Sequence, residues 1–310
     1  MEESVSGTVA CKSRKEGPSG GAEDGDGRLI IPPSPDPEHG LTVPSTTSQN
    51  QRYMYSEREI LTSPSTYTNA AKSMGDHFAP LIKDLEGHGY KCVPVALPST
   101  QSPDQPPATL KDDTAAVRSA VLDELDQGNN VVAIAHSFGG CPTNNALQGL
   151  DLQTRSAEDL TTAVQAIAFM CAIPLPKGAS FLNGLGGKPS AIHDLRTENF
   201  CWVGEPGPEH YFYNDLSAEE AKKWSDLLQP QSWPAYCGET TYAAYMDVPS
   251  SYLFCTKDQA FPYEAQKGFV NAATEAGARV EYTETVEASH SPFLSKIEET
   301  SAFIRKAAGG

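Results

Sequence analysis

Asn130-Val131-Val132-Ala133-Ile134-Ala135-His136-Ser137-Phe138-Gly139-Gly140 joins two patterns end to end. Its first half is a run of β-branched and small apolar residues, as in a strand buried on both faces of a parallel sheet. That run leads into a small-X-Ser-X-Gly sequence and then into a helical pattern. A serine at such a strand-to-helix turn is held in a strained backbone conformation, so the residues two before and two after it must be small. Ala135 and Gly139 meet this requirement. The turn projects Ser137 Oγ from the carboxyl end of the sheet and aims the Phe138 N–H, at a helix start, toward a substrate carbonyl oxygen. Five-residue serine motifs also arise by chance, and here the strand before it and the helix after it are what give the motif weight.

On both sides of this turn, strands alternate with helices. Phe78, Leu81, Ile82 and Leu85 fall at helical spacing from Asp76 to a stop at Gly87 and Gly89. Residues 90–97 read as a strand and 113–126 as a helix with Ala116, Val117, Ala120, Val121 and Leu125 on one face. After the serine turn, a helix is expected to about Leu150 and a buried strand over 163–170. The pattern resumes with a strand at 250–255, a helix over 262–276, a strand at 278–282 and a last helix to about Ala307, with Ser291 as its cap and Pro292 in its first turn. Such alternation implies an α/β fold with a doubly wound, mostly parallel sheet and flanking helices.

Two stretches break the rhythm. Residues 1–51 are rich in Ser, Pro, Gly and acidic residues and offer too little apolar surface to offset chain entropy, so they read as a disordered extension ahead of a domain spanning 52–310. Only Arg28-Leu29-Ile30-Ile31 suggests a short strand there. Residues 174–247 carry Trp202, Tyr211, Phe212, Tyr213, Trp224, Trp233 and Tyr236 among prolines and glycines, with one clear helix at 217–228. An aromatic insertion between two sheet strands suits a lid over an apolar pocket, and equally a small core of its own.

In a doubly wound sheet, converging functional groups come from loops at the carboxyl ends of strands. Ser137, Asp258 and His290 each follow a predicted strand. A serine hydroxyl needs a base within hydrogen-bond reach, and an imidazole base needs a carboxylate to fix its tautomer. Asp258 could instead cap the next helix and His290 could be a surface loop residue; finding both behind a serine turn favours one catalytic set. His136 is read as packing. His77, His88, His193 and His210 follow no strand, and His39 falls in the extension.

The 310 residues carry a formal net charge of −17, which repels phosphate and anionic lipid and argues against nucleic-acid and membrane partners. The amino terminus lacks a signal-peptide pattern, and the apolar run 166–173 is too short to span a bilayer. Seven cysteines show no CxxC pair and no metal spacing, so free thiols in a reducing compartment are expected, with no metal or organic cofactor. A cytoplasmic protein follows, as a monomer or a homodimer.

From Asp76 onward the chain resembles the α/β-hydrolase superfamily, in particular the group of salicylate-ester esterases, hydroxynitrile lyases and fungal and bacterial hydrolases. The carrying residues are 77–81 (His-Phe-Ala-Pro-Leu), 135–140 around Ser137, 212–216 (Phe-Tyr-Asn-Asp-Leu), 249–253 and Ser289-His290-Ser291-Pro292-Phe293. The resemblance implies a Ser137–His290–Asp258 triad acting on a small hydrophobic ester, with the Phe138 amide in the oxyanion hole. Similar proteins supply the second oxyanion donor from a His-Gly-Ala-Trp-like loop. The corresponding stretch here, Asn69-Ala70-Ala71-Lys72, departs from it, and Ala71 is the matching donor; the preceding 62–67 reads as a poor buried strand. Plant-type hydroxynitrile lyases carry a lysine directly after the histidine, where this chain has Ser291, which favours ester hydrolysis. A lyase, cyclase or thioesterase-like step, or a non-catalytic hydrophobic-ligand binder, are the alternatives the fold leaves open.

Overall fold

The computed structural model describes residues 58–64 and 74–309. The extension, the short strand suggested at 28–31, His39 and Ala71 all lie outside the described residues.

Six strands form one sheet: β1 (Arg58–Pro64), β2 (Lys91–Pro94), β3 (Asn130–His136), β4 (Val164–Met170), β8 (Ser250–Cys255) and β9 (Val280–Val286). Their order is β2-β1-β3-β4-β8-β9 and every pairing is parallel. The buried strand β3 shows why the fold needs both faces covered. Val131, Ala133 and Ala135 pack on one side with Val117, Val121 and Leu125 of helix α2 (Leu110–Asp126), Ala146 of α3 (Gly140–Ala146) and Val270 and Ala273 of α9 (Tyr263–Glu275). Val132 and Ile134 pack on the other with Phe78, Leu81 and Leu85 of α1 (Met74–Gly87) and Phe303 and Ile304 of α11 (Ile297–Ala307). The period-2 alternation of a strand thus feeds two separate apolar layers.

Local chemistry sets several element ends. Helix α2 begins at Leu110, three residues ahead of the sequence reading, because the Asp112 carboxylate accepts from both the Thr109 N–H (2.8 Å) and the Thr109 hydroxyl (2.7 Å). The last helix is broken: Pro292–Ser295 forms α10, Lys296 leaves helical geometry, and α11 starts at Ile297. Ser291 makes no side-chain cap there, contrary to expectation. Of the stretch 62–67, expected to be a poor buried strand, residues 62–64 close β1, which begins at Arg58 and lies between β2 and β3, and the rest lies outside the described residues. Its register pairs Arg58 with Asn130 and Pro64 with His136, so β1 ends beside the serine turn.

Between β4 and β8, an insertion holds α5 (Phe181–Gly184), α6 (Pro208–Tyr211), α7 (Ala218–Ser225) and α8 (Trp233–Cys237). It also carries a small antiparallel sheet of β5 (His193–Asp194), β6 (Phe200–Val203) and β7 (Gln231–Ser232), which the sequence reading did not foresee. Its aromatics fall into two buried clusters. Tyr211, Phe212, Tyr213 and Trp224 form a cluster of their own with Ala221, while Phe181, Trp233 and Tyr236 pack on Phe138 of the serine turn.

Candidate active site

Strand β3 runs into a single 3-10 turn, Ser137–Gly139, and then into α3. Ser137 sits at φ +53, in the left-handed region that a non-glycine residue enters only under strain. The turn is clamped from below by the segment after β4: the Ile173 N–H donates to Ser137 O at 3.3 Å. A Cβ on Gly140 would stand 2.9 Å from the Ile173 carbonyl oxygen, so only glycine fits there. The small residues named from the sequence, Ala135 and Gly139, are joined in this by Gly140.

Asp258 lies in the loop after β8 and His290 in the loop after β9. The structure brings them together: His290 Nδ1 is 2.7 Å from Asp258 Oδ2. The carboxylate is held from several sides. Its Oδ1 accepts from the Ala260 and Phe261 N–H groups at 2.8 and 2.7 Å, and Oδ2 also accepts from Gln266 Nε2 at 3.3 Å. Gln266, fully buried on α9, at the same time accepts from the Cys255 N–H at 3.0 Å and so ties the acid loop to the end of β8. Asp258 and His290 are 3% and 1% exposed and Ser137 8%, so the three groups sit out of bulk water, where directed polar contacts are strongest.

His136 does more than pack. Its Nε2 donates to the His290 carbonyl at 2.7 Å, and the two rings lie 4.7 Å apart. The residue beside the serine therefore grips the backbone of the loop that carries the imidazole, which registers the serine turn against the histidine loop. Phe78 and Phe293 wall His136 at 6.2 and 5.1 Å. The sequence signal was present, a polar residue closing an apolar buried strand, but its partner lies 154 positions away.

On the other side of the serine turn, the Phe138 ring meets Tyr236 at 4.8 Å and Phe181 at 5.5 Å. His193 completes this aromatic wall, 5.9 Å from Trp233 and 5.7 Å from Tyr236. Burial pushes its imidazole down to about 4, so it is neutral near pH 7 and belongs to an apolar surface.

Among the described residues, His136, Cys171 and His290 are the group whose ligand atoms approach one another, all within 4.8 Å. Their chemistry does not suit a cation. His136 Nε2 and His290 Nδ1 are engaged in hydrogen bonds, and burial holds the Cys171 thiol well above its ordinary range, against the thiolate a metal requires. Cys171 instead lies 2.9 Å from Cys255, both as free thiols, as are Cys92 and Cys141; Cys237 is disulfide-bonded, which corrects the expectation that the cysteines are all free thiols. No described helix is long and apolar enough to cross a membrane.

The insertion also reaches this centre through residues 212–215. The Ser289 N–H donates to Asp215 Oδ2 at 2.9 Å, Ser289 Oγ donates to Phe212 O at 2.8 Å, and Asn214 Nδ2 donates to Lys257 O at 3.1 Å. The Phe212 ring lies 5.5 Å from that of His290.

The sequence matches the model of the alpha/beta hydrolase family over residues 62–303. It is 29% identical over 233 residues to a probable hydrolase of Phoma sp., an alignment spanning 75% of this chain and 92% of that one. It is also 29% identical over 240 residues to the alpha/beta hydrolase nvfD of Aspergillus novofumigatus, covering 76% and 92%. Among solved structures, polyneuridine aldehyde esterase shares the fold with a TM-score of 0.61 at 19% identity, over 82% of this chain and 100% of that one. An extracellular alpha/beta-hydrolase from Paenibacillus species does so at 0.60 and 14% identity, over 81% and 98%.

Proposed function

The chain belongs to the alpha/beta hydrolase family, and from that premise we propose that it is a serine hydrolase of small or medium, hydrophobic carboxylic esters. The observation that carries this reading is the buried 2.7 Å bond between Asp258 and His290 in a loop held to the serine turn by His136. Because Nδ1 faces the carboxylate, the proton of the neutral imidazole sits on Nδ1, and Nε2 keeps its lone pair for the serine. Ser137 Oγ attacks the ester carbonyl as His290 takes its proton, and His290 returns that proton to the departing alcohol. Asp258 orients the ring and stabilises the imidazolium. The Phe138 N–H, in the first turn of the helical segment, stabilises the oxyanion, with Ala71 as the proposed second donor. Water, activated by the same histidine, then releases the acid.

The apolar cluster of Phe138, Phe181, Trp233 and Tyr236 beside the serine turn supports a hydrophobic substrate and a reading of the insertion as a cap. Ser291 directly after His290, where the plant-type hydroxynitrile lyases carry a lysine, supports ester chemistry over a lyase step. Product analysis separates the two, since only the acyl-enzyme route ends in a free carboxylic acid.

The test is labelling of the purified protein by a fluorophosphonate, which needs an activated serine, in the wild type and in Ser137→Ala. Labelling confined to the wild type is expected. Equal labelling of the variant, or no labelling of a folded wild type, would overturn the assignment.

A further inference from the structure

We propose that Asp215, on the insertion, is a positioning residue for the histidine loop and acts together with Asn214, so that the insertion forms half of the mount on which the proposed base and its acid are held. This rests on the reading of His290 and Asp258 given above.

The contacts are specific. Asp215 Oδ2 accepts the Ser289 N–H at 2.9 Å, one residue ahead of His290. The Ser289 hydroxyl donates to Phe212 O and accepts from the Ser291 N–H at 3.3 Å, so both neighbours of His290 are anchored within this one cluster. Asn214 Nδ2 donates to Lys257 O, one residue ahead of Asp258. Two adjacent side chains of the insertion therefore fix the residues immediately preceding the base and the acid, which come from different strands of the main sheet. Meanwhile the sheet side grips the same loop through His136 and the His290 carbonyl. The histidine is held between the two.

The chemistry of Asp215 supports a positioning role over general packing. Its Oδ1 is buried with no hydrogen-bond partner among the described residues. A carboxylate oxygen in that state costs stability, and such costs concentrate where orientation matters more than stability. A misplacement of about 1 Å, from a change away from the reacting atoms, is enough to slow chemistry by about a hundredfold.

The experiment compares fluorophosphonate labelling of the wild type, Asp215→Ala, Asp215→Asn and Ser137→Ala at a temperature well below each melting point, separating the limiting rate (kinact) from the half-saturating concentration (KI). In Asp215→Ala, kinact should fall by about ten- to a hundredfold with KI within about twofold. Asp215→Asn retains an oxygen acceptor for the Ser289 N–H and should recover kinact to within about threefold of the wild type. A lower melting point with unchanged kinact in Asp215→Ala would reduce the residue to a structural one and overturn the proposal. If Asp215→Ala does not fold, Asn214→Ala, whose side chain is exposed, takes its place: a several-fold drop in kinact supports the clamp, and none overturns it. Labelling that survives in Ser137→Ala overturns the catalytic reading itself, whereas labelling lost in Ser137→Ala but untouched at Asp215 and Asn214 overturns only this inference.

Discussion

At Ser137 the backbone and the side chain have opposed preferences. The hydroxyl belongs where it is, but a Cβ at φ +53 is strained by roughly 1 kcal/mol or more. Removing the hydroxyl alone leaves that strain, and removing the Cβ releases it. Ser137→Gly should therefore melt higher than Ser137→Ala, by about 1 kcal/mol in urea unfolding, although both are expected to lose labelling. Equal stabilities, or a more stable alanine variant, would mean that the turn is not strained. The neighbouring Gly140 behaves in the opposite sense, because there a Cβ would run into a backbone oxygen that cannot yield.

At the scale of elements, α2 is moored by a polar network. Buried Asp113 accepts from the Ser99 N–H at 2.8 Å and is 2.5 Å from the Ser99 hydroxyl, which in turn accepts from Gln231 Nε2 on β7. Burial pushes the Asp113 carboxyl up to about 7, with the Ser99 bonds pulling against it. The sign follows from linkage. A carboxyl that binds its proton more tightly when folded lends its full stability below its unfolded value near 4 and loses it as pH rises through about 7. The stability difference between the wild type and Asp113→Asn should shift toward the variant by on the order of a few kcal/mol from pH 4 to pH 8, read from urea unfolding. A difference that stays flat with pH would show that Asp113 is ionised throughout. What could be read from the chain at this scale depended on length and periodicity. Strand β3 and the helices around it announced themselves because each buries a continuous face. Strand β1 did not, since Arg58, Glu59 and Pro64 interrupt the apolar run normally expected of a strand inside a parallel sheet, and β5 to β7 are too short to show a period of two. The site was legible to the extent that it follows strand ends: Asp258 and His290 were found that way and do meet. The roles of His136 and Gln266, and the Asp215–Ser289 contact, were not. Their partners are fixed only once the sheet is assembled, and no local pattern encodes them.

For the whole chain the dominant physical fact is 40 acidic against 23 basic side chains. Several ion pairs on the surface, such as Lys222–Asp226 and Lys257–Glu287, join exposed groups and are worth little each, so they do not offset a net charge of −17. Screening should therefore stabilise the protein. Raising NaCl from 20 to 300 mM is expected to increase Tm by a few degrees, since the Debye length shrinks from roughly 20 Å to below 8 Å. A Tm that falls with salt would point to attractive pairs as the larger electrostatic contribution. The insertion has one more property on this scale. All three tryptophans of the chain, Trp202, Trp224 and Trp233, lie within it, while the main sheet and its helices contain none. Intrinsic emission excited at the indole band thus comes from the insertion alone. Without any added dye, its spectrum on ligand binding or partial denaturation reports the surroundings of that one region, and circular dichroism can follow the rest.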